Sequence, residues 1–231
     1  MALELIAELA TAHGGNIDLA KRMIDYAVAG GADTVKTQAY LPDSVNPQDP
    51  QAAWLVQSAL SEDHHHALKA HAEAQGARYF ASVFDEPSAN FIAYLCGRFK
   101  VASTEVASAF WKRVPHDITR YVSHPWSAEP LTTRNYVDLV TVPLYPTPLE
   151  ALVCVEWGTG WSDHCIGLSG CLYAAAQGAE VTEVHVSIPG EGRNLIFDKT
   201  QDDLKRLKDW LLECQVMRTG VSRTFRNRWV R

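Results

Sequence analysis

Two short segments, Trp161-Ser162-Asp163-His164 and Glu183-Val184-His185-Val186-Ser187, each set a histidine and a carboxylate at the end of a strand-like run. Val181 to Ile188 is rich enough in β-branched residues to read as a strand. The small-residue run from Gly167 to Gly178 between the segments reads as a helix. Strand–helix–strand brings both histidine-bearing ends to one edge of a parallel sheet, where His164 and His185 could share a divalent first-row metal ion. Two protein ligands would leave coordination positions open for substrate. Spacing alone equally admits two unrelated buried histidines satisfied by hydrogen bonds.

The elements that must position these residues alternate. Strands are expected at Leu3–Ala10, Thr34–Tyr40, Arg78–Phe84, Phe99–Ser103, Ile118–Ser123, Val137–Pro143, Gly160–Asp163 and Val181–Ile188. Helices are expected at Ile17–Ala29, Glu62–Gln75, Pro87–Leu95, Ala107–Arg113, Gly167–Gln177 and Gln201–Cys214, with Ser61 as an N-cap and Gly31, Gly76 and Gly178 just past helix ends. This alternation predicts a compact (β/α)₈ TIM barrel, whose chemistry sits at the C-terminal strand ends. The segments after the fifth and sixth strands are short and proline-bearing, so shortened connections are expected there. Residues 1–217 form a single barrel domain on this reading and 218–231 a basic tail.

If the barrel holds, the strand ends supply a consistent polar set. It comprises Glu8, Thr11 and His13; Lys36 and Gln38, which share a strand face; Ser82 and Asp85; Lys100, Ser103 and Glu105; Ser123 and His124; then Ser162, Asp163, His164, Glu183 and His185. Lysines inside a barrel are costly unless they meet anions. Lys36 and Lys100 beside serine hydroxyls would cradle a small phosphorylated carboxylate. The plainer reading of Lys36 is an ion pair with Glu8 or Glu105, and the two can coexist. His64-His65-His66 and His71 fall on a predicted surface helix and read as solvated positions, and Cys165 as a small buried residue.

A net charge of −6 argues against a nucleic-acid scaffold. No apolar run approaches a membrane span, and the N-terminus lacks a signal-peptide pattern. Five cysteines with no CxxC spacing argue against a disulfide framework. A reduced, soluble, cytoplasmic protein is expected.

The segments Ile6-Ala7-Glu8, His13-Gly14-Gly15, Val35-Lys36-Thr37-Gln38, Phe99-Lys100-Val101-Ala102-Ser103, Tyr145-Pro146-Thr147-Pro148, Ser162-Asp163-His164 and Glu183-Val184-His185 occur in order. Together they resemble the catalytic barrel of N-acetylneuraminate (sialic acid) synthases, from about Leu3 to Trp210. The resemblance implies condensation of phosphoenolpyruvate with an aldehyde sugar, giving a 2-keto acid and phosphate. It implies a divalent ion on His164 and His185, manganese first, with magnesium or cobalt as alternatives. It places Lys36, Ser82, Lys100, Ser103 and Ser162 on phosphoenolpyruvate, Glu8 on proton transfer, and Gln38 and Glu183 on supporting catalytic positions.

Departures fall mainly on the acceptor side. Pro143 stands where the family has an asparagine, Ser82-Val83 replaces a Thr-Pro, and Pro189-Gly190-Glu191-Gly192-Arg193-Asn194 replaces a Gly-Pro-Asp-His segment that helps bind the sugar. No counterpart of the family's C-terminal antifreeze-like domain is expected. Two other readings stand beside the synthase: a barrel that has lost the reaction and binds a ligand or partner, and another metal-assisted lyase or aldolase. The tail, with Arg218, Arg223, Arg226, Arg228 and Arg231, is either a solvated end or an arm onto a second subunit of a homodimer.

Overall fold

The computed structural model describes residues 3–115, 117–125, 135–155 and 159–219. Eight parallel strands close in sequence order into a barrel: β1 (Glu4–Ala10), β2 (Thr34–Ala39), β3 (Arg78–Val83), β4 (Arg98–Val101), β5 (Thr119–Pro125), β6 (Tyr136–Thr141), β7 (Gly160–Asp163) and β8 (Val181–His185). The described helices are α1 (Ile17–Ala29), α2 (Ala52–Ser58), α3 (Glu62–Ala74), α4 (Glu86–Cys96), α5 (Ser169–Gln177) and α6 (Gln201–Thr219). None is long and apolar enough to cross a membrane. The sequence pattern located every strand to within a few residues. It missed α2, and it ended α6 at Cys214, although the helix continues through Arg218, which approaches Glu180 at 3.9 Å. The arginines at 223, 226, 228 and 231 lie outside the described residues.

Strand alternation sorts side chains into an outer apolar layer and an inner stack. Leu5, Ala7 and Leu9 of β1 face outward into the main hydrophobic cluster with α1 and α6. Inward, the stack has three levels, as barrel interiors do. At the bottom, buried Glu4 accepts from Thr34 Oγ1 (2.6 Å) and Tyr121 Oη (2.8 Å) and pairs with Arg78 (3.0 Å). Above it Ile6, Phe80, Tyr121, Leu139 and Val181 form an apolar plug, with Phe80 and Tyr121 stacked at 4.8 Å. The top level is polar and forms the floor of the site. The plug separates the two charged levels from each other.

The wall is thin on one side. After β6, among the described residues, a short 3₁₀ segment, Leu149–Cys154, stands where a helix would be, as the prolines there predict. Residues 126–134, after β5, lie outside the described residues. The helix expected over Ala107–Arg113 is instead a 3₁₀ turn at Phe110–Arg113. There the Glu105 carbonyl accepts from Ser108 N at 2.9 Å and Trp111 Nε1 at 3.1 Å in place of an α-helical partner. Just beyond the turn the buried Arg120 guanidinium donates to the carbonyls of Val114 (2.6 Å), Pro115 (2.9 Å) and Ile118 (2.9 Å). Those carbonyls are satisfied without a helical ladder, while Trp111 fills the space a helix would cover.

Two histidines depart from expectation. His65 is buried and bonds Tyr79 Oη at 2.8 Å, while neighbouring His64 completes a capping box with Ser61 and His71 pairs with Asp25. His124 points out of the barrel, where Nε2 meets Asp138 at 2.5 Å and Nδ1 meets the carbonyl of Pro125 at 3.0 Å. The Asp138 hydrogen bond raises the His124 pKa above its usual value, although burial opposes it. A raised folded-state pKa gives stability that is complete below the unfolded value of about 6.5 and fades as pH rises through the folded one. Urea titrations of the parent and of His124→Gln are therefore expected to differ most below about pH 6.5 and to converge at higher pH. A difference that stays constant with pH would contradict this assignment.

Candidate active site

The floor of the barrel mouth is built by four buried charges. Lys36 of β2 ion-pairs with Glu8 of β1, donates to Ser82 Oγ at 2.6 Å and lies 3.8 Å from Glu183. Lys100 of β4 donates to Glu183 Oε1 at 2.7 Å, and Ser162 of β7 donates to the same oxygen at 2.9 Å. Strand register explains the convergence: Glu8 is level with Lys36 and His185, Ser82 with Lys100, and Ser162 with Glu183. Two ammonium groups and two carboxylates balance, which makes their burial tolerable. Burial lowers the Lys36 pKa to about 7, with Lys100 adding to the shift and Glu183 opposing it. Burial opposes ionisation of Glu183, but Lys100, Lys36 and Ser162 outweigh it and hold the carboxyl below its usual range.

Above this floor opens a cavity of about 180 Å³ lined by Glu8, Gln38, Ser82, Lys100, Ser103, Ser123, Thr141, Ser162, His164, Glu183 and His185 among others. Lys36 lies just beneath, fully buried. Every residue expected to act on substrate or metal therefore lies in or directly under one cavity. Ser123 lines it as well, whereas several other strand-end candidates do not. Asp85 is the N-cap of α4, accepting from Ser88 N and Leu41 N. Glu105 accepts from Ser108, His13 Nδ1 accepts from Gly15 N, and Asp163 is buried beside Lys199 and Trp161. Pro143 is exposed and lines neither this cavity nor its neighbour.

The rings of His164 and His185 are neighbours, with centroids 5.3 Å apart and planes tilted by 51°. Burial lowers the His164 pKa to about 4 and drives that of His185 well below its usual value, with nearby cationic groups contributing. Both imidazoles are therefore neutral and able to ligate. That donor set fits a divalent first-row ion. No cluster of three His, Cys, Asp or Glu occurs among the described residues, so non-protein ligands would complete its coordination. Thr141 Oγ1 lies 3.3 Å from His164 Nδ1, Tyr145 packs on the same ring at 4.2 Å, and Phe197 meets both imidazoles edge-on at 5.7 and 5.2 Å. Sequence reading assigned none of these three a role. Thr141 was recoverable, because it alternates with inward-facing Leu139 on β6; Phe197 lies on a loop with no periodic signal.

A larger cavity of about 520 Å³ adjoins the first, and Gln38, Phe84, Tyr145 and His185 line both. Its walls include Leu55 of α2 and Leu195, Ile196 and Phe197 of the loop after β8, with Thr11, Gln51, Arg193 and Asp198 as polar members. The loop is pinned at Gly192, whose φ of +61° and place beside the Ala12 carbonyl leave no room for a Cβ. Arg193 donates to Gln51 at 2.6 Å and lies over the Trp54 ring at 5.7 Å.

A profile of the NeuB family matches residues 23–111. The chain is 31% identical over 238 residues to the N,N'-diacetyllegionaminic acid synthase of Legionella pneumophila, spanning 82% of this chain and 66% of that protein. It is 24% identical over 245 residues to a pseudaminic acid synthase of Campylobacter jejuni, spanning 89% and 71%. The crystal structure of an N-acetylneuraminic acid synthetase from Leptospira borgpetersenii with citrate superposes with a TM-score of 0.84 at 22% identity, covering 96% of this chain and 87% of that one, a likeness of fold. The chain spans 62 to 71% of the length of these curated relatives and one further relative that it matches.

The charge balance of the floor gives a direct test. Glu183→Gln leaves Lys100 buried without its counter-ion and is expected to cost about 3–5 kcal/mol, the range for breaking a buried pair. Inorganic phosphate, by neutralising the floor from the cavity side, should recover part of that loss in urea titrations. A cost below about 1 kcal/mol, typical of an exposed pair, would mean that the four charges are not interdependent.

Proposed function

We propose, from the premise that this chain belongs to the NeuB family, that it joins phosphoenolpyruvate to a small sugar aldehyde, releasing phosphate and forming a 2-keto acid. The observation that carries this reading is the pair of adjoining cavities. The smaller is lined by Lys100, with Lys36 directly beneath it, by several hydroxyls and by the histidine pair; the larger has the mixed apolar and polar walls of an acceptor site.

Lys100 and Lys36, with Ser82, Ser103 and Ser162, hold the phosphate and carboxylate of phosphoenolpyruvate. Charge-assisted hydrogen bonds in a buried site bind and orient such an anion. In the free protein Glu183 and Glu8 occupy these lysines, so the ligand enters by taking over a share of their hydrogen bonds. Gln38, which lines both cavities, lies where the two substrates would meet. His164 and His185 would hold a divalent ion, manganese by resemblance to the family, and that ion would supply Lewis acidity toward the aldehyde. The bond forms between C3 of phosphoenolpyruvate and the aldehyde carbon. Water then adds at C2, and phosphate departs with cleavage of its C–O bond. Glu8 is suited to move the proton of that water: one oxygen contacts Lys36, the other accepts from Ala10 N at 2.7 Å, and the carboxylate lines the cavity. Ala10 holds the strand end there at a φ of +47°, unusual for a residue with a Cβ.

Phosphate release that requires both phosphoenolpyruvate and an aldehyde, with the 2-keto acid identified by mass spectrometry across a panel of N-acylated amino sugars and simple aldehydes, tests the reading. Glu8→Gln is expected to lower turnover about 10²-fold or more with phosphoenolpyruvate affinity retained. Lys100→Met should weaken that affinity by about 1.5–3 kcal/mol. Aldehyde-independent phosphate release, or near-normal turnover in Glu8→Gln, would count against it.

A further inference from the structure

Lys199 is 1% exposed, and the condensation described above gives it no task. Its ammonium donates to the carbonyl of Cys165 at 2.6 Å and to that of Phe197 at 2.9 Å, and lies 3.0 Å from Asp163 Oδ2. Its backbone N–H donates to the carbonyl of His185 at 2.8 Å. Asp163 is fixed in turn by Trp161 Nε1 at 2.9 Å. One side chain thus grips the residue after His164 and the residue whose ring lies on both imidazoles, while its own backbone grips His185. The Phe197 ring stands nearly perpendicular to both histidines, at 89° and 87°.

We propose that Lys199 is a positioning residue of the active site, tying β7 to the loop after β8 so that His164, His185 and Phe197 keep the mutual arrangement that ligation needs. The inference rests on the reading of the two histidines as a metal-binding pair. The chemistry favours a tie over a purely stabilising role. A buried ion pair contributes little net stability compared with a well-packed apolar pair. What apolar residues could not supply is donors for two converging backbone carbonyls, which would otherwise be left unsatisfied. Outer groups that orient ligating side chains commonly alter metal affinity by about 10–100-fold when removed.

The test uses Co²⁺, whose visible absorption reports coordination geometry, on the full chain. In the paired substitution Asp163→Leu with Lys199→Met, no charge is left unpaired, but the carbonyls of Cys165 and Phe197 and the Trp161 Nε1–H lose their partners, so the melting midpoint is expected to fall while the chain still folds. Co²⁺ affinity should fall about tenfold or more with an altered spectrum, and kcat should fall more than KM for phosphoenolpyruvate rises. Lys199→Arg provides a second variant should the pair fail to fold. It keeps the charge opposite Asp163, but a planar guanidinium cannot sit between the two carbonyls as the compact ammonium does, so the Co²⁺ spectrum should again change. Parent-like Co²⁺ affinity and spectrum in the folded variants would overturn the proposal. Co²⁺ binding to the parent that is unaffected by His164→Ala would overturn the metal reading itself, a separate failure.

Discussion

The site depends on setting two lysines against two carboxylates inside a barrel. Lys36 and Lys100 are almost wholly buried, and an ammonium group taken out of water without a partner would lose its proton or unfold the floor. Glu8 and Glu183 answer that cost with two opposite charges, and Ser82 and Ser162 fill further hydrogen-bonding positions. The result is a neutral but strongly polar floor whose donors an incoming anion can take over. Stability of the free protein and affinity for an anionic substrate are therefore properties of the same four groups.

The rest of the barrel is arranged around that floor. The apolar plug of Ile6, Phe80, Tyr121, Leu139 and Val181 separates it from the second charged level at Glu4 and Arg78, so the two do not compete for partners. In the thin wall beyond β4, Trp111 is buried and the Arg120 guanidinium satisfies the carbonyls of Val114, Pro115 and Ile118 ahead of β5. On the opposite side α2 and the loop after β8 rise above the mouth and form the larger cavity.

Much of this was legible in the residues. Period-two alternation and glycine punctuation placed the strands, and the strand ends then named Glu8, Lys36, Gln38, Ser82, Lys100, Ser103, Ser162, His164, Glu183 and His185, which the structure gathers at one mouth. What was not legible depends on tertiary packing. His124 is adjacent in sequence to inward-facing Ser123, and a one-residue difference in register decides which of them faces the cavity. His65 is buried because Tyr79 Oη lies within reach, a contact no local pattern announces. Phe197 and Lys199 belong to an irregular loop, so their roles follow only from where β7 ends. Asp85 and Glu105, which the strand-end pattern grouped with the site residues, instead satisfy backbone or hydroxyl donors nearby.

The most direct measurement is a crystal structure of the protein soaked with phosphoenolpyruvate and Mn²⁺. The account requires the ligand in the cavity of about 180 Å³, with phosphate and carboxylate on Lys36 and Lys100 in place of part of their contact with Glu8 and Glu183, and an anomalous metal signal between His164 and His185. Ligand density elsewhere, with the Lys100–Glu183 bond intact and the histidine pair bare, would contradict it.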